Sequence, residues 1–121
     1  MPRPPLALRL LDIIEAIEIV RSETANITLD AFEADRRKRW LVERGIEIIS
    51  EASRHLTDEI KARHREIPWP KVAGIGNVIR HDYERVAPDV LWVVAHDHLP
   101  EIEKVCREEL ARERGTSTSA Q

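Results

Sequence analysis

The sequence predicts an all-α protein, an antiparallel bundle of four to five helices, and three observations carry that expectation. Apolar residues recur at spacings of three and four through two long stretches, the pattern of a single buried helix face. Most of the seven prolines stand at the ends of such stretches, where a missing backbone donor does least harm. One phenylalanine, one tyrosine and four glycines leave little of the aromatic and turn chemistry that an all-β chain of 121 residues needs.

The elements follow in order. After Pro5, "LALRLLDIIEAIEIVRSE" sets Leu6, Leu10, Ile13, Ile14, Ile17 and Val20 on one face of a first long helix. "TANITLDAFEAD" breaks it, and Thr28 is placed to cap a short helical turn that ends near Asp35. "RRKRWLVERGIEIISEASRHL" predicts a second long helix with an apolar stripe of Trp40, Leu41, Ile48, Ile49, Ala52 and Leu56 that runs past the isolated Gly45. "TDEIKARHREIPWP" opens on the capping residue Thr57, supports a short helix and stops at Pro68 and Pro70. Pro70 suits the first turn of a further helix, "KVAGIGNVIRHDYERV". A last helical stretch begins near Pro88, with a break expected around Pro100. Residues 1–114 form a single domain in this reading, and 115–121 a disordered polar tail.

Composition narrows the function. Nineteen basic against 22 acidic residues give a net charge of −3, which argues against a general nucleic-acid coat; no DNA partner is expected, although a local basic site stays open. The run "RRKR" at 36–39 reads either as a solvated helix start or as an RNA-facing patch. No window resembles a secretory segment or approaches the ~18 apolar residues of a membrane span, so a soluble, cytoplasmic protein with no membrane partner is expected. The single cysteine, Cys106, offers neither a disulfide nor a metal set.

The chemistry gathers in "GIGNVIRHDYERV". With Asn77 set at zero and about 100° per residue, Arg80 falls near −60°, Glu84 near −20° and His81 near +40°, with Ile75, Val78, Ile79 and Val86 assigned to the opposite side. Histidine takes or gives a proton near neutrality, and arginine carries a permanent charge suited to a phosphate. Together they can cleave RNA without metal or other cofactor: a 2′-hydroxyl attacks the neighbouring phosphorus, His81 moves a proton and Arg80 stabilises the growing oxyanion. A hydrogen-bonded interface histidine beside a solvated Arg80–Glu84 pair is the bland alternative.

Elsewhere, Glu47 and Glu51 are candidate acid or base groups or structural partners of Arg44 and Arg54. His96 and His98 point about 200° apart on a helix, which disfavours a metal site. His55 and His64 are expected at the surface, and Trp40, Trp69 and Trp92 in the core or between copies of the chain. The apolar faces of the two long helices are broad for a chain of this length. A symmetric dimer with an interface above ~1,200 Å² is expected.

From "LLDIIEAIEIV" through "ERGIEIISEASRHL", "IPWPKVAGIGNVIRHDYERV" and "VLWVVAHDHLPEI", roughly residues 6 to 106, the chain resembles the HepT-like branch of the HEPN superfamily. The resemblance implies a small all-α homodimer, many of whose relatives are metal-independent ribonuclease toxins paired with a minimal nucleotidyltransferase antitoxin. It also implies a signature of Arg, a polar residue that is often Asn, His and then Tyr, which Asn77, His81 and Tyr83 match. The nucleotidyltransferase of such pairs attaches AMP to the tyrosine, which makes Tyr83 the implied acceptor. Gly76 stands where the family usually has its arginine. Arg80, one turn along and about 40° away, is the candidate replacement. The alternative is a scaffold that lost catalysis and keeps only binding to the nucleotidyltransferase.

Overall fold

A computed structural model describes the backbone of residues 5–81 and 87–119 and the side chains of 5–79 and 87–115. Its helices are α1 (Leu6–Thr24), α2 (Leu29–Ala34), α3 (Arg36–Ser53), α4 (Asp58–Arg63), α5 (Trp69–His81), α6 (Pro88–Val93) and α7 (Leu99–Ser119), with a π-helical turn over Val94–His98 joining the last two. No strand occurs among the described residues. The bundle is all-α, as the sequence predicts.

Local signals set the helix starts. Thr28 Oγ1 accepts from the Ala31 N–H at 3.1 Å, and Thr57 Oγ1 from the Ile60 N–H at 3.2 Å, so both predicted caps satisfy donors that would otherwise be orphaned. Asp35 closes α2 and opens α3, its carboxylate accepting from Lys38 N–H at 3.1 Å.

Packing sets the rest. Of the α1 stripe, Leu10, Ile13, Ile14, Ile17 and Val20 are buried as expected and Leu6 is half-buried. On α3 the buried face is Val42, Ile46, Ile49 and Ala52, while Trp40 is 63% exposed and Leu41 and Ile48 are half-buried. Gly45 is the reason for this rotation. A Cβ there would stand 2.4 Å from Val20 Cγ2, so the bare glycine backbone is what α1 packs on, and Trp40 is turned away. α1 and α7 are clasped antiparallel by Arg21–Glu103 at 2.8 Å and by an Arg107–Glu18 ion pair.

Pro100 does not break the last helix. The Leu99 N–H reaches back to Val94 O, and this wider π turn immediately before the proline carries the chain past the point where a regular helix would lose a donor and meet the ring. α7 then continues to Ser119, into the segment expected as a polar tail, because no proline follows and a nucleated helix extends at little cost per residue. Cys106 is fully buried on α7, and burial pushes its thiol up to about 12, which leaves it inert. Among the described residues, no helix is long and apolar enough to cross a membrane.

Candidate functional site on the α3–α5 pair

α5 lies against α3 through one hydroxyl. Ser50 Oγ donates to Ala73 O at 2.7 Å and accepts from Gly76 N–H at 3.2 Å, which pins the middle of α5 to α3. Arg54 adds a bond from Nη2 to Ala73 O at 2.9 Å. A Cβ on Gly76 would fall 2.5 Å from Ser50 Oγ and 2.8 Å from Ser50 Cβ. Position 76 is therefore a close-contact point between helices, buried and facing α3. Gly76→Ala should lower stability, since overpacking costs about 1–3 kcal/mol and helix propensity returns only about 1 kcal/mol. Urea unfolding measures the net loss, and a Ser50→Gly background should shrink it. An unchanged midpoint would show that the contact has slack.

The opposite flank of α5 is open. Asn77 is exposed, a Cβ on Gly74 would meet nothing within 4 Å, and Val78 is 53% exposed. Val78 therefore sits with the polar residues and not on the apolar side assigned to it, which Ile75 and Ile79 do occupy. Arg80 and His81 close the described part of α5, so the helix does carry Asn77, Arg80 and His81 within about one turn. The side chains of Arg80 and His81, and the whole of Tyr83, lie outside the described residues.

On the α3 side, Glu47 pairs with Arg44 at 3.5 Å, as the structural reading had it, whereas Glu51 pairs with His55 at 3.5 Å and Arg54 turns to α5. Burial pushes the Glu43 carboxyl up, against the pull of Arg39, with Glu47 adding to the rise. A cavity of about 300 Å³ lies behind α5, walled by Ile46, Ile49, Ile75, Val94, Leu99 and Ile102, with Lys71, His98 and Glu101 also lining it; Asn77 is not among its walls.

One histidine departs from its expected place. His64 is not a surface residue: its side chain is 12% exposed and its Nε2 stands 2.6 Å from a Glu109 carboxylate oxygen. Glu109, 3% exposed, also accepts from Arg63 Nη2 at 2.6 Å and Nε at 3.1 Å, and Trp69 Nε1 donates to His64 O at 3.0 Å. This clasp ties α4 to α7. Its partners are 45 and 46 residues apart, beyond any local sequence pattern. His96 stacks on Trp92 with ring centroids 4.0 Å apart and Nδ1 3.0 Å from Trp92 O. Trp92 also meets Phe32, with ring centroids 5.5 Å apart, and Trp69 is 6% exposed. Trp69 and Trp92 are packed within the chain, and Trp40 is not.

Several known proteins resemble the chain. The family model described as "Ribonuclease HepT-like" matches residues 13–109. A probable ribonuclease HepT of Thermococcus cleftensis is 35% identical over 91 residues, 75% of this chain and 83% of the relative. Two relatives provisionally named as RNases are also similar. The one from Methanocaldococcus jannaschii is 30% identical over 78% of this chain and 87% of its own length. The one from Caldanaerobacter subterraneus is 29% identical over 93% of this chain and 97% of its own. No solved structure gives a significant match.

Proposed function

The chain belongs to the HepT-like ribonuclease family, and from that premise we propose that it is a metal-independent endoribonuclease, the toxin half of a pair with a minimal nucleotidyltransferase antitoxin. The observation that carries the reading is the open flank of α5, where Asn77 is exposed and Arg80 and His81 follow on the same helix. His81 accepts the proton of the attacking 2′-hydroxyl and returns one to the departing 5′-oxygen, while Arg80 holds the charge that builds on the phosphoryl oxygens. Asn77 orients the phosphate by hydrogen bonding. Exposed Val78 and the empty space over Gly74 suit a second copy of α5, so that two motif helices share one cleft in a homodimer. Light scattering at micromolar concentration should give twice the chain mass, and a monomeric mass counts against the shared cleft.

Tyr83, two residues after His81, is the acceptor for AMP in this reading. The added phosphate neutralises Arg80 and blocks the cleft by volume and charge. Intact-mass spectrometry after incubation with the cognate nucleotidyltransferase, ATP and magnesium should show AMP on the parent and none on Tyr83→Phe; modification of the variant removes the assignment.

The packing of Gly76 favours a second reading. With no room for a side chain against Ser50, the usual arginine is absent for a structural reason, and a binding scaffold without catalysis remains. RNA incubated with purified protein in EDTA separates the two. Cleavage by the parent that disappears in His81→Ala supports the nuclease, and an inactive parent leaves the scaffold.

A further inference from the structure

Trp40 is 63% exposed, and the guanidinium carbon of Arg36 stands 5.9 Å from its ring centroid. The open indole offers a large flat apolar face that a partner could cover.

The α3–α5 contact fixes where it stands. Glu47 Cα is 3.8 Å from the Cβ position of Gly76, and Arg54 reaches Ala73, so the two helices run antiparallel. His81 lies five residues beyond Gly76, about 7.5 Å towards the start of α3, and Trp40 lies seven residues before Glu47, about 10.5 Å in the same direction. Counted from Ser50, which Gly76 touches more closely, Trp40 is ten residues and about 15 Å away, so it stands about 3 to 7.5 Å beyond the level of His81 on the same side of the contact. Around α3, Trp40 falls about 80° to one side of Ser50 and Val42 about 80° to the other; around α5, Asn77 falls about 100° to the matching side of Gly76 and Ile75 about 100° to the other. In an antiparallel pair, matching rotations from the contact line reach one surface. Val42 and Ile75 thus share the inner side, and Trp40 shares the open side with Asn77.

Resting on the ribonuclease reading above, we propose that Trp40 and Arg36 form a base-binding subsite for single-stranded RNA beside the α5 face. The indole stacks one nucleobase, and Arg36 and Arg37 meet the flanking phosphates. Charge favours RNA over a second copy. Arg36 and Arg37 form no ion pair among the described residues, and a two-fold contact centred here would set the same cations of both copies against each other.

A fluorescein-labelled 2′-O-methyl oligoribonucleotide, which lacks the attacking hydroxyl, allows binding to be measured on the intact parent. By fluorescence anisotropy, Trp40→Ala should weaken binding roughly 5- to 150-fold, and Trp40→Phe should keep most of it. An abasic site walked along the oligonucleotide should weaken the parent at one position and leave Trp40→Ala indifferent there, a signature that general misfolding does not give. Unchanged binding by Trp40→Ala overturns the subsite while the nuclease reading stands. So does a change in particle mass on light scattering, which would put the indole between copies. A parent that binds no RNA removes the subsite and the nuclease reading together.

Discussion

Arg80→Ala should abolish RNA cleavage while leaving fold and assembly intact, a loss of roughly two or more powers of ten in kcat. Position 76 cannot supply the cation, because its backbone is packed on Ser50 and a side chain there has nowhere to go. Arg80 is one turn later on the same helix, and its residue follows exposed Asn77 by three positions. A transition-state donor acts on the chemical step, so kcat should fall with little change in KM, and the melting temperature should hold. Cleavage by Arg80→Ala at the parent rate would discard this assignment. Gly76→Arg is an unsafe control: it would have to push α5 off α3 before its charge could act.

Glu109→Ala should cost about 3 kcal/mol or more of folding stability, a large part of what a small domain has. The carboxylate is nearly fully buried between Arg63 and His64, with Arg112 Nε 3.6 Å away. Removing it leaves Arg63 Nε and Nη2 and His64 Nε2 without their carboxylate partner and opens a void between α4 and α7. Hydrogen bonding from Arg63, helped by His64 and opposed by burial, holds its carboxyl below the ordinary 4.5. A carboxyl with a depressed folded value stabilises fully above the unfolded value, and that contribution fades as the pH falls through the folded one. Chemical denaturation should therefore show a wide gap between parent and Glu109→Gln at neutral pH that narrows below about pH 4.5. A gap independent of pH would mean that shape, and not charge, holds the clasp.

Much of the fold was legible in the sequence. Thr28 and Thr57 cap the helices they were expected to cap, Pro70 stands in the first turn of α5, and the α1 stripe from Leu10 to Val20 is buried as its spacing predicts. The motif spacing likewise sufficed to put Asn77, Arg80 and His81 on one helix. These signals act within about one turn of chain, so neighbouring residues carry them in full. Tertiary structure alone decided the rest. The rotation of α3 that exposes Trp40 follows from Gly45 meeting Val20, the role of Gly76 from its contact with Ser50, and the inward placement of His64 from Glu109. Each depends on two segments far apart in the chain approaching closely, and the energy of such a contact exists only once both helices are in place.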